Sequence, residues 1–131
     1  MDLASVQAHL QARLPGLMAI YLFGSQAKGC ATETSDVDIA VLVAGYVAPS
    51  LRWMLAGELS DLVHRPVDLV DLRSASTVMQ YQIITTGRRL WSEGVEPGIY
   101  ETFILGRKTE LDTARVGLLN DIYQSGVVYG R

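Results

Sequence analysis

Two short apolar runs constrain this chain more than any other feature. Leu17-Met-Ala-Ile-Tyr-Leu-Phe23 is one, and the other is the apolar end, from Ile39, of a segment Asp36 to Val43 that carries acids at its start; both are rich in strand formers. Runs of this kind are strands buried within a sheet, and other elements must cover them. They fall far short of the roughly 20 apolar residues a membrane span needs. Helical periodicity supplies the cover. Leu3, Val6, Leu10 and Leu14 recur on one face of a first helix, which Pro15-Gly16 stops. Pro49 or Ser50 opens a second, with Leu51, Leu55, Leu59 and Leu62 on one face, and His64-Arg65-Pro66 ends it, because the residue before a proline disfavours helix. Val67 to Leu72 reads as a third strand. Ser74 is the expected N-cap of a helix over 75–86 closed by Gly87, and Leu90-Trp91 reads as a brief edge strand. From Pro97 to about Ser125 the chain reads as helix, with Ile99, Phe103, Ile104, Leu111, Leu118, Leu119 and Ile122 as its apolar side. The expected fold is α/β (α+β), a small mixed sheet covered by helices. A single domain is expected over 1–131, with a core over about 1–92 and a helical extension over about 97–131.

Composition narrows the function classes. With 49% hydrophobic and 19% charged residues, the 131-residue chain is neither disordered nor fibrous. A chain of this size buries about two-thirds of its unfolded surface and needs no metal or disulfide to fold. Eleven Lys and Arg against 14 Asp and Glu argue against direct nucleic-acid binding by bulk electrostatics, but leave room for a small-nucleotide site. The single cysteine, Cys30, and an N-terminus without the basic start and apolar stretch of a signal peptide point to the cytoplasm.

The chemistry lies in Gly24-Ser25, ten intervening residues, and Asp36-Val37-Asp38. Asp36 and Asp38 lie two apart on a strand, so they leave the same face. Two carboxylates this close repel unless a cation lies between them, and hard oxygen ligands suit Mg²⁺. Gly24 lets the backbone approach a phosphate, and the Ser25 N–H and hydroxyl can donate to phosphate oxygens. Taken singly, a Gly-Ser pair is a turn and an Asp at a strand start is a cap; together, between two strands, they outweigh that reading. Asp68 and Asp71 sit inside an otherwise apolar strand, where an unpaired charge is costly. They face opposite sides, so at most one joins Asp36 and Asp38. Asp68, between Val67 and Leu69, has no evident structural employment, whereas Asp71, beside Arg73 and the loop, reads as a solvated or capping acid. Lys28 is a candidate phosphate contact or a solvated loop lysine, and Arg88-Arg89 a partner or phosphate contact or a pair facing water at a helix end. His9 and His64 lack a second His or Cys at zinc spacing. Cys30 reads as a bystander, and Trp53 and Trp91 as core or partner surface.

Phe23-Gly24-Ser25, Gly29 and Thr34-Ser35-Asp36-Val37-Asp38-Ile39-Ala40-Val41 resemble the signature of the DNA polymerase β-like nucleotidyltransferase superfamily. The short chain, with Tyr100-Glu101, Asp112, Arg115 and Asn120-Asp121-Ile122 towards its end, is similar to the minimal nucleotidyltransferase group. Many of that group are antitoxins paired with a HEPN-domain ribonuclease toxin, and fuller members transfer AMP from ATP to a toxin tyrosine. The resemblance implies a polymerase β-like core with a C-terminal helix. It also implies Asp36, Asp38 and Asp68 as catalytic acids and ligands of Mg²⁺, two ions in all, with ATP as substrate. Asp68 would also be a candidate acceptor of the tyrosine proton. Gly24 and Ser25, with Lys28 and Ser35, would be the phosphate-binding set. Two alternatives stand beside it: an antitoxin that acts only by covering its toxin, and a nucleotidyltransferase acting on a small molecule.

Overall fold

The computed structural model describes residues 2–24 and 36–125, with side chains as far as residue 110. Helix α1 (Leu3–Arg13) starts at Asp2, whose side chain accepts from the Ser5 N–H, and stops before Pro15. Strands β1 (Leu17–Phe23) and β2 (Val37–Val43) are the two apolar runs of the sequence. Helix α2 (Pro49–Val63) has proline in its first turn, where a missing N–H costs nothing. It ends on His64 in the left-handed region (φ 56°), just ahead of Pro66. Strand β3 (Val67–Asp71), a 3₁₀ turn (Leu72–Ser74), helix α3 (Thr77–Thr86), strand β4 (Arg88–Ser92) and helix α4 (Glu96–Ser125) complete the order.

The sheet runs β3-β2-β1-β4. β1 pairs antiparallel with both β2 and β4, and β2 pairs parallel with β3, so the sheet is mixed as expected. A parallel pair needs a crossover, and α2 supplies it. Alternation along the strands divides the core into two layers. Val6 and Leu10 of α1 and Leu55 and Leu59 of α2 pack with Ile20, Ile39, Val41 and Leu69 on one face. Ala19, Tyr21, Ala40 and Leu42 look the other way, towards Leu72 and Ile83 and the partly buried Tyr100. Among the described residues no helix is long and apolar enough to cross a membrane.

Four local expectations change. The cap of α3 is Ser76, whose hydroxyl accepts from the Met79 N–H, because the Ser74 hydroxyl is already bonded to Asp71. The brief edge strand at Leu90-Trp91 is a five-residue strand carrying Arg88 and Arg89, so these arginines do not lie at a helix end. Arg89 pairs with Glu101 at 2.7 Å and ties β4 to α4. On α4, Ile104 is buried, but Ile99 and Phe103 are 64% and 55% exposed. On α2, Val63 rather than Leu62 completes the buried stripe with Leu55 and Leu59. Leu111, Leu118, Leu119 and Ile122 have side chains outside the described residues.

Candidate active site

β1 stops at Phe23, whose partner across the ladder is Asp38. Gly24 then turns with φ +70°, in the region that favours glycine. It meets a second demand that the sequence does not reveal. A Cβ at this position would run into the Asp38 carboxylate, with Asp38 Cγ only 3.2 Å away. Only a residue without a side chain lets the acid lie against the turn.

Asp38 is half-buried on the face that carries Ala40 and Leu42. Directly beside it in the parallel register stands Asp68, which is exposed, and Asp36 is exposed just ahead of β2. Burial, then the Asp68 charge, then the Asp36 charge hold the Asp38 carboxyl above its usual range. By linkage, the folded chain binds the Asp38 proton more tightly than the unfolded chain. That stabilisation is present at low pH and is lost as pH rises through the folded value. Among the described residues, the two charges that act on Asp38 are both negative.

Among the described residues, no three His, Cys, Asp or Glu side chains form a ready-made metal cage. Mg²⁺ does not require one, because it takes one or two carboxylates and fills its shell with water and phosphate oxygens. A half-buried acid repelled by its neighbours, with oxygen donors only, fits such an ion. Ser25, Lys28 and Ser35, like Cys30, lie outside the described residues.

Asp71 has a different task. It is the buried acid, 2% exposed. Its carboxylate accepts from the Val47 N–H at 2.8 Å, the Arg73 N–H at 3.2 Å and the Ser74 hydroxyl at 3.1 Å. It joins the segment after β2 to the turn after β3 and is unavailable to the Asp38 cluster on the opposite face. Removing it would leave buried donors unsatisfied. We expect Asp71→Ala to lower unfolding stability by about 2–4 kcal/mol in urea denaturation. Asp68→Ala, at an exposed position, should stay within about 0.5 kcal/mol of the parent.

The remaining candidates have structural employment. His9 Nε2 lies 2.6 Å from Glu58, which Arg13 also contacts at 3.1 Å, so this group joins α1 to α2. Trp91 packs half-buried on the core, whereas Trp53 is 84% exposed. One feature has no single-residue signature in the sequence. Between the first half of α2 and β3 lies a cavity of about 730 Å³, lined by Ser50, Arg52, Trp53, Ala56, Val67 and Asp68 among others. The only hint is that Trp53 falls off the buried stripe of α2.

Comparison with known proteins agrees with this fold. Residues 6–95 match the family described as polymerase beta nucleotidyltransferase. The chain is 38% identical over 113 residues to a protein adenylyltransferase MntA of Shewanella oneidensis, covering 86% of this chain and 81% of that one. Among solved structures, it superposes with a TM-score of 0.83 on a crystal structure of a toxin–antitoxin with AMP-PNP, at 35% identity over 94% of this chain and 99% of that one. It also superposes, with a TM-score of 0.75 and 34% identity, on a chain of the complex between a tri-AMPylated Shewanella oneidensis HEPN toxin and its MNT antitoxin. That match covers 92% of this chain and 94% of the other.

Proposed function

The chain belongs to the polymerase β nucleotidyltransferase family, and from that premise we propose that it is an antitoxin enzyme that adenylylates its toxin. It transfers AMP from ATP to a tyrosine of a cognate HEPN-domain toxin in the cytoplasm and so neutralises it. The observation that carries this reading is the row formed by the Gly24 turn, Asp38 and Asp68 on three adjacent strands. The named relatives add support: one is a protein adenylyltransferase, and another match is to a complex holding an AMPylated toxin.

In this reaction the acceptor hydroxyl oxygen forms a bond to the α-phosphorus, and the bond from that phosphorus to the pyrophosphate oxygen breaks. Pyrophosphate leaves, and the hydroxyl proton passes to a base. Gly24, with Ser25, Lys28 and Ser35, holds the triphosphate at the end of β1. Asp36, Asp38 and Asp68 are the residues that would hold Mg²⁺. When bound, the metal neutralises the departing pyrophosphate and lowers the pKa of the attacking hydroxyl. Asp68, exposed on the strand beside Asp38, accepts the proton of the entering group. The rest of the contribution is position, since phosphoryl chemistry of this kind asks little covalent work of the protein.

Position of label distinguishes this reaction from its neighbours. With toxin, Mg²⁺ and ATP labelled on the α-phosphate, label is expected on the toxin; with γ-labelled ATP it is expected in pyrophosphate alone. Label reaching the toxin from the γ-position would overturn the assignment in favour of a kinase. Label on neither would return the chain to a binding antitoxin or to a small-molecule transferase.

A further inference from the structure

Gly24, Asp36, Asp38 and Asp68 all lie within the residues that match the polymerase beta family. That match ends at residue 95, and α4 begins at Glu96. A further solved structure, described as a minimal nucleotidyltransferase, shows the same economy. At 28% identity and a TM-score of 0.51, 95% of its chain covers only 67% of this one. The toxin–antitoxin structure with AMP-PNP covers 94% of this chain, a share that must take in most of the 30-residue α4. The helix is thus an addition to the nucleotidyltransferase core, and it is shared with relatives solved as toxin–antitoxin.

The packing of α4 leaves an apolar surface uncovered. Ile104 is buried, and Tyr100 packs partly buried on the sheet face that carries Ala40 and Leu42, the face of Asp38. Ile99 and Phe103 each stand one residue earlier, about 100° around the helix, and both are exposed. The apolar sector of α4 is therefore wider than the sheet covers. A notch of about 360 Å³ opens beside it, lined by Arg73, Glu96, Ile99, Tyr100 and Phe103. The Tyr100 and Phe103 rings lie 6.5 Å apart. The Arg73 guanidinium sits 4.9 Å over the first ring and that of Arg107 5.6 Å over the second. Aromatic rings and arginines around an apolar pocket are the composition of an interface hot spot.

We propose that this face of α4 is the docking surface for the toxin. An apolar side chain of the toxin fills the notch between Arg73 and Phe103, and a toxin carboxylate beside it meets Arg107, which is exposed. The toxin is the occupant because α4 lies outside the family match and recurs in the toxin–antitoxin relatives. The inference rests on the antitoxin half of the reading above and not on the transfer of AMP. Binding and chemistry then belong to different residues, α4 holding the toxin and the carboxylate row acting on it.

Titration calorimetry with the cognate toxin, in the absence of ATP, tests this. Because both side chains are exposed, Ile99→Ser/Phe103→Ser should melt within about 3 °C of the parent. Its Kd for the toxin should rise by at least about thirtyfold, while the stabilisation it gains from Mg²⁺ and ATP stays that of the parent. Arg107→Glu, which leaves the apolar centre intact, should weaken toxin binding by about fivefold to tenfold. Trp53→Ser, which removes an equally exposed ring from α2, should not change it. A toxin Kd within about twofold of the parent's in either α4 variant overturns the proposal. So does a loss of affinity in Trp53→Ser as large as in the α4 double variant. A parent dimer that the double variant converts to monomer, with toxin affinity kept, would assign the face to a second copy and overturn it too. Toxin binding by the parent that the α4 variants weaken, without any AMP transferred, would support the dock and refute the enzymatic reading instead.

Discussion

Asp38→Asn is expected to reduce AMP transfer by at least about a thousandfold while making the metal-free protein more stable at neutral pH. The first effect follows from taking charge away from the centre of the carboxylate row, where preorganised electrostatics carry much of the rate. The second follows from the environment of Asp38. Burial and the charges of Asp68 and Asp36 hold its carboxyl above the ordinary range, so the ionised form costs stability in the folded chain. Asparagine has the shape of the protonated acid and, like it, carries no charge. The sign is checked by following melting temperature against pH for both proteins. The advantage of Asp38→Asn should be largest at neutral pH and should vanish as pH falls and the parent's Asp38 takes up its proton. Other carboxylates act equally in both proteins, so the difference isolates Asp38. Mg²⁺ with nucleotide should raise the melting temperature of the parent and leave the variant unmoved. A variant less stable than the parent at neutral pH would contradict the electrostatic account of the site.

Gly24→Ala should damage both stability and activity through one methyl group. At φ +70° an alanine carries a backbone cost of about 1–2 kcal/mol. Its Cβ also collides with the Asp38 carboxylate, so the acid or the turn must move. A displacement of about 1 Å at a reacting centre can cost a hundredfold, and transfer should fall by at least that factor. A double-mutant cycle separates the two costs. In an Asp38→Ala background the collision is gone and only the backbone cost remains, so Gly24→Ala should destabilise by about 1 kcal/mol less than it does in the parent. Additive effects would mean that the turn and the acid do not touch.

Much of this architecture is legible in the residues because local and tertiary signals agree. Leu17–Phe23 and Ile39–Val43 are continuous apolar runs because both faces of their sheet are covered, and that continuity is visible without coordinates. Pro15-Gly16 and Pro66 mark helix ends by backbone chemistry alone. The pair Asp36 and Asp38 stands out because an acid at the head of an apolar strand has few structural uses. Errors arise where a side chain is already engaged by another side chain. Ser74 looks like a cap but is held by Asp71, so the helix begins after Ser76. The burial of Asp71 and the exposure of Asp68 depend on the segment after β2 returning to β3, through the Val47 N–H. Ile99 and Phe103 satisfy helical periodicity yet remain exposed, since the face they occupy meets no described element. The cavity at Trp53 is the least legible feature. It is lined by residues of both α2 and β3, and their juxtaposition is a property of the tertiary fold.

The central claim is that the carboxylate row performs chemistry on the toxin rather than merely shaping a surface that covers it. Growth of cells expressing the cognate toxin, with either the parent chain or an Asp36→Ala/Asp38→Ala double variant, tests this most directly when toxin from each culture is weighed intact. Rescue and an added AMP mass with the parent, together with growth arrest and unmodified toxin with a double variant that still co-purifies with it, are the predicted results. Full rescue by the double variant with unmodified toxin would contradict the account.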